Sequence, residues 1–169
     1  MLGGDQLIVG LNGLSTEVSG PIEDGGHNGG SGASLVKVGP GTLKLSNAGN
    51  TYTGGTILEA GRLDLAALGA AGTGDLTFAG VATLAIEKAA LLGHHFGTTI
   101  DDFARHDIID LAGLKFHAGA TATYHAATDQ LTAHSGHASA TLTLLSPHGH
   151  HFGTASDGHG GTGVFLLHA

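Results

Sequence analysis

Histidines are the side chains in this sequence whose type and spacing could do chemistry. The chain has 13 of them. His148, His150 and His151 lie next to one another in the sequence, and His159 follows shortly after. In a β-strand His148 and His150 would share a face, so both imidazoles could reach one metal ion. We take these four histidines as a candidate site for Zn, Ni or Cu.

Two other interpretations of the histidines compete with a metal site. One is a polar outer surface that uses His in place of Lys or Thr, and we favour it because no fixed ligand spacing with a supporting carboxylate is visible. The other is a pH response, since stacked imidazoles repel one another when protonated and would loosen an assembly in acid.

Acidic turns give a weaker case for Ca²⁺. The candidates are Asp101, Asp102, Asp107, Asp110 and Asp157, whose carboxylates are the ligands that calcium prefers. The tandem Gly-Gly-x-Gly-x-Asp calcium repeat is absent from the sequence, however, and ordinary turn chemistry explains an Asp-Gly pair.

Catalytic motifs are missing from the sequence. There is no Gly-x-Ser-x-Gly elbow to hold a nucleophile, and the glycine-rich segments lack the Lys-Ser/Thr of a phosphate-binding loop. We therefore expect a protein that is not an enzyme.

Composition narrows the class of protein further. The net charge is −8 with histidines neutral, and the six Lys and Arg residues form no cluster, so we expect neither nucleic acid nor an anionic membrane as partner. The absence of Cys excludes disulfides and thiol chemistry. No apolar run reaches the length of a membrane span, and no signal peptide is expected at the start.

The elements that would position any site are short repeated strands. Gly41-Thr42-Leu43-Lys44-Leu45 returns as Gly61-Arg62-Leu63-Asp64-Leu65, with a looser copy at 83–86. A second phrase, at 35–38, 56–59 and 75–78, is interleaved with the first. A repeat of about 20 residues built only from strands predicts an all-β chain coiled as a β-solenoid. In that register the leucines at alternate positions form two stacked ladders facing the core, and Lys44 lies beside Asp64 on the surface.

The rest of the chain keeps the same style of short strands and turns. The glycine-rich segment at 23–32 is either a flexible linker or, as we prefer, a corner loop between strands. We divide the chain into a repeat region at 1–89 and a His-rich region at 90–169, which either continues the coil or caps it. Residues 87–92 are the best helix candidate, of one or two turns.

The segment from Leu35 to Thr56 resembles the autotransporter-associated β-strand repeat. The elements shared with that family are Lys37 to Leu45, Asn50 to Thr56, and the closing Gly61 to Leu63. The resemblance implies a right-handed parallel β-helix exported to the bacterial cell surface or beyond, and it carries over no catalytic residues.

The function expected from these observations is structural. The two ends of a β-helix carry unpaired backbone groups, and in a short β-helix only a few rungs lie between them. We therefore expect chains to stack end to end into a filament or matrix. The alternative is a capped unit that acts as an adhesion or binding module of a larger passenger protein, with a host or surface ligand as partner. Divalent-metal binding through histidine is the third interpretation.

Overall fold

A computed structural model describes residues 1–26 and 29–168. Within these residues the chain forms 15 strands and one short 3₁₀ helix. In chain order they are β1 (Gln6–Val9), β2 (Thr16–Val18), β3 (Ser34–Lys37), β4 (Thr42–Leu45), β5 (Thr56–Leu58), β6 (Gly61–Leu65), β7 (Leu76–Phe78), β8 (Ala82–Ile86), the 3₁₀ helix (Lys88–Ala90), β9 (Ile100–Asp101), β10 (Ile108–Leu111), β11 (Thr121–His125), β12 (Gln130–Ser135), β13 (Ala138–Leu145), β14 (Phe152–Ser156) and β15 (Thr162–Leu166). The expected helix at 87–92 is thus only the three-residue 3₁₀ turn.

The first ten strands form a β-solenoid of five rungs. Each rung contributes one odd-numbered strand to one sheet and the next even-numbered strand to a second sheet, and neighbouring rungs pair in parallel. Leu35 pairs with Thr56 and Thr56 with Leu76, which are offsets of 21 and 20 residues. The predicted fold class and its period are confirmed for these inner rungs. The first rung is longer, because Gln6 pairs with Ser34 across an offset of 28 residues.

The core lies between the two sheets and is filled by ladders of aliphatic side chains. The pairing register stacks Leu43 on Leu63 on Leu84, and Leu45 on Leu65 on Ile86, and all six are buried. Both predicted ladders are confirmed. Burying each such side chain contributes about 2 kcal/mol of transfer free energy, and a one-residue slip would turn both ladders to solvent. The register therefore follows from the alternation in the sequence.

The second half of the chain first continues the coil and then closes it. Strands β9 and β10 form the fifth rung, which lies beyond residue 89. Strand β13 then adds to β9, and β12 and β11 follow in antiparallel order. On the other sheet the β14–β15 hairpin adds antiparallel to β10. Residues 90–168 therefore add one rung to the coil and then form antiparallel strands at its end.

The antiparallel strands form a cap whose two outer edges meet. Strands β11 and β14 contact each other, and the Thr154 hydroxyl donates a hydrogen bond of 2.8 Å to the Ala120 carbonyl. Aromatic rings fill the space beneath: the Phe152 ring lies 6.1 Å from that of Phe103 and 5.8 Å from that of Tyr124. These rings cover the end of the aliphatic core where the solenoid stops.

Candidate functional site: an open rung opposite the cap

At the other end of the solenoid no cap is formed by residues 1–26 and 29–168, and β1 and β2 are the outermost strands of their sheets. The Val9 carbonyl accepts a hydrogen bond of 2.9 Å from the Val38 N–H on the inner side of β1. Because backbone groups alternate in direction along a strand, Gln6 and Ile8 point their N–H and C=O groups away from β3. These groups face the open edge.

Strand β2 presents a second open edge on the same end of the molecule. The Val18 carbonyl accepts a hydrogen bond of 3.2 Å from the Ser46 N–H of the next rung. By the same alternation, the Glu17 N–H and C=O face outward. A further strand pair could hydrogen bond to both edges as each inner rung does to its neighbour.

Apolar side chains surround the open edges. Ile8 is 48% exposed, Leu11 83% and Leu14 66%, and a groove of about 430 Å³ runs between residues 8 and 16. Leu7 and Val18 are only partly buried although they pack on the core. The end of the aliphatic core is thus incompletely covered, as expected where a stack of rungs stops.

Charge on the outer face of the second sheet alternates from rung to rung. Glu17 pairs in register with Lys44, and Lys44 with Asp64, so the predicted Lys44–Asp64 neighbourhood is confirmed. Opposite charges on adjacent strands stabilise a sheet by a few tenths of a kcal/mol. A rung added below β2 would therefore gain most from a cation opposite Glu17.

The described parts of the glycine-rich loop that follows β2, residues 23–26 and 29–32, lie at a corner between strands, and Asp24 holds them there. The Asp24 carboxylate accepts hydrogen bonds from the N–H groups of Gly32 and Ala33 at 3.1 and 3.0 Å, and from the Thr53 hydroxyl at 2.6 Å. The hydrogen bond from Thr53 lowers the pKa of Asp24 below its ordinary value, because it stabilises the ionised form. Asp24 thereby ties the loop that follows the first rung to the loop that follows the second rung.

A buried lysine holds the opposite corner of the rungs. Lys37 is only 1% exposed, and its Nζ donates to the carbonyls of Val38, Gly39 and Ala60 at 2.8, 2.8 and 3.0 Å. Ala60 belongs to the next rung, so the ammonium joins two rungs. Burial lowers the pKa of Lys37. The glycine at this corner, Gly61, has φ of +74°, and a Cβ there would lie 2.4 Å from a carbonyl oxygen.

The four histidines predicted as metal ligands are not brought together as one set. His148, His150 and His151 line the same depression in the cap. His159 lies instead in the β14–β15 turn, where its N–H donates to Asp157 Oδ1 at 2.7 Å. Within residues 1–26 and 29–168 no group of three His, Asp or Glu side chains is placed to hold a metal ion.

Two of the carboxylates proposed as calcium ligands, those of Asp107 and Asp110, are buried and have protein partners. Both Asp107 oxygens accept backbone hydrogen bonds, from Ala82 at 3.1 Å and Ala104 at 2.9 Å. Asp110 is paired with Arg62, whose Nη2 lies 2.7 Å from Asp110 Oδ2. The sequence did not predict this ion pair, because the two residues are 48 positions apart and meet only across the intervening strand β8.

Comparison with known families identifies one segment. Residues 35–65 match the model of the passenger-associated-transport-repeat family.

This passenger repeat spans strands β3 to β6, and it contains Lys37 and both leucine phrases. The match confirms the resemblance seen in the sequence. It indicates a secreted or cell-surface domain of the autotransporter passenger type. No curated protein matches the chain, and no solved structure matches it. Among the described residues, no helix combines the length and the apolar character needed to cross a membrane.

Proposed function

We propose that this chain is a non-enzymatic structural unit of a bacterial surface or extracellular assembly, and that two copies join through their open first rungs. The observation that carries the proposal is the difference between the two ends. One end is closed by the antiparallel cap, and the other presents two strand edges that no described strand pairs with, beside exposed leucines.

The proposed contact repeats an interaction that the molecule already makes between its own rungs. Strand edges with free N–H and C=O groups pair readily with another chain. Ile8, Leu11 and Leu14 supply the apolar surface that a partner would cover. A second copy meets this requirement, because its own first rung carries the same edges and the same side chains.

The cap changes the form of assembly expected from the sequence. Growth into a filament by rung stacking needs an open rung at each end, and here β11 and β14 turn their edges toward each other. Contact between two identical open ends uses the same patch on both copies, and such an isologous interface closes on itself. We therefore propose a pair of chains as the basic assembled unit.

Electrostatics predicts how the pair responds to salt. Asp5, Glu17 and Glu23 belong to the first rung and its loop, and two copies would bring these carboxylates near one another. Screening by salt weakens that repulsion. We expect the pair to form more readily at high salt than at low salt.

Sedimentation velocity over a wide range of protein concentration tests the proposal. The wild-type chain should shift from one to two copies as concentration rises, and more so at high salt. Ile8→Pro should lower the association constant of the two copies at least tenfold, because proline removes a donor from the open edge while the hydrogen bonds between β1 and β3 remain. Leu14→Ser should also lower this association constant, because it removes apolar contact between the copies.

Val81→Thr is the matched control. Val81 is 62% exposed but lies in the turn between β7 and β8, away from the first rung. It should associate as the wild-type chain does. A chain that stays monomeric at all concentrations and at both salt levels, or an Ile8→Pro variant that pairs as strongly as the wild-type chain, would contradict the proposal.

A further inference from the structure

A depression of about 670 Å³ lies on the cap, at the end of the molecule away from the open rung. Three segments form it. Arg105 comes from the loop between β9 and β10, residues 147–151 from the loop between β13 and β14, and Leu166 and Leu167 from the end of β15. Its volume falls in the range of about 300–1,000 Å³ that small-molecule sites occupy.

Main-chain hydrogen bonds fix the walls of the depression. The His148 N–H donates to the Phe103 carbonyl at 2.9 Å, and the Leu167 N–H donates to the His151 carbonyl at 2.8 Å. Phe103 is itself fully buried. Because the walls are held by the fold, a ligand would not have to order them on binding.

Arg105 provides a permanent positive charge, and no carboxylate of the described residues lies within 4 Å of it. Among the described residues, the ion pairs within 4 Å are Arg62 with Asp110 and His148 with Asp102. The Arg105 guanidinium instead contacts the imidazole of His168. Arginine cannot be deprotonated in a protein, and its planar fork of N–H donors matches a carboxylate or a phosphate.

The two described carboxylates near Arg105, those of Asp102 and Asp107, contact other groups. Asp102 Oδ1 lies 3.6 Å from Nε2 of His148. Asp107 is buried, and both of its oxygens are occupied by backbone N–H groups. The imidazoles of His148, His150 and His151 line the same depression, and a neutral imidazole still carries one N–H donor.

The remaining wall is apolar. Leu166 is 8% exposed and forms part of the core, while Leu167 is 48% exposed, and Pro147 lies beside them. A ligand that satisfied both parts of the depression would carry one anionic group and an apolar body. We infer that the cap binds a small amphiphilic anion of the medium-chain carboxylate class, with the carboxylate on Arg105 and the chain against the leucines.

Calorimetric titration of the full chain with octanoate at neutral pH tests the inference. We expect saturable binding of one octanoate per chain. Arg105→Gln should weaken it at least tenfold, and Arg105→Lys should restore part of the affinity, because it keeps the charge but loses the fork. Leu167→Ser should weaken binding several-fold by removing apolar contact.

Lys44→Gln is the matched control, because it removes a cation from the sheet surface rather than from the depression. It should bind octanoate as the wild-type chain does. Circular dichroism should show that Arg105→Gln melts like the wild-type chain, so that lost binding cannot be attributed to lost fold. Octanoate should also shift the ring resonances of the histidines in the depression.

Three results would overturn the inference. They are no saturable binding, equal binding by Arg105→Gln, and equal affinity for octanamide, which has the same chain without the charge. Leu14→Ser should leave octanoate binding unchanged, which distinguishes this site from apolar adsorption on the open rung. The inference does not depend on the proposed pairing of chains, because the two surfaces lie at opposite ends.

Discussion

Replacing Lys37 with methionine should destabilise the solenoid more than any substitution of an exposed lysine. Methionine keeps most of the volume of the side chain but removes the ammonium. The carbonyls of Val38, Gly39 and Ala60, which now accept hydrogen bonds at 2.8, 2.8 and 3.0 Å, would lose that donor inside a corner that is closed to water.

The magnitude follows from those three acceptors. Each buried carbonyl left without a donor costs about 1 kcal/mol or somewhat more, which gives about 3–4 kcal/mol for the three. Removing the ammonium also ends the cost of burying its charge, the same cost that lowers the pKa of Lys37. We expect a net loss of about 2–3 kcal/mol in the free energy of unfolding.

Chemical denaturation followed by circular dichroism measures this loss at neutral pH. Lys44→Met is the matched control, since Lys44 lies on the outer face beside Asp64 and its pairing is worth a few tenths of a kcal/mol. A Lys37→Met variant as stable as Lys44→Met would refute the view that the buried ammonium holds the rungs together.

Two further substitutions test other parts of the fold. Burial raises the pKa of Asp110, so its contribution to stability is present below the ordinary value of 3.8 and is lost as pH rises through the raised pKa. The free energy of unfolding of Asp110→Asn, relative to that of the wild-type chain, should therefore increase as pH rises from 3.8 toward neutrality. A difference that does not depend on pH would contradict this. Gly61→Ala should lower the melting temperature more than Gly158→Ala, because φ is positive at both positions (+74° and +82°) but only at Gly61 does a Cβ meet a carbonyl oxygen, at 2.4 Å; equal losses would show that this close approach is relieved without cost.

The sequence predicts the inner rungs well because their alternation leaves one choice of register. Leu43 and Leu63 can both be buried only if the strands pair as observed. The burial of Lys37 is harder to predict. It follows Leu35 on the inward face of β3, where an apolar residue is the usual choice, and its acceptors are backbone carbonyls that no side-chain pattern reveals.

The cap could not be assigned from the sequence for a different reason. Parallel and antiparallel strands share the same two-residue alternation, so β10, which continues the coil, and β12, which belongs to the cap, look alike as sequences. The order of pairing depends on the turns, and Asp129, with φ of +52°, lies in the turn where the chain reverses between β11 and β12.

The candidate sites also depend on contacts between distant segments. His148 and Arg105 are 43 positions apart in the sequence but line one depression, whereas the closer His159 lies elsewhere. Proximity along the chain therefore grouped His159 with three histidines from which the structure separates it. The open rung could be expected in general from a short solenoid, but which end is open depends on where the cap forms.

Hydrogen exchange measured at low and at high protein concentration tests the central claim most directly. The claim is that the edges of the first rung are free in the single chain and become paired between chains, while the cap is closed throughout. We predict that the outward-facing amides of Ile8 and Glu17 exchange rapidly in dilute protein and become protected as concentration rises, and that the amides of β13 and β15 are unchanged. Protection at the first rung that does not depend on concentration, or concentration-dependent protection in the cap instead, would contradict the account.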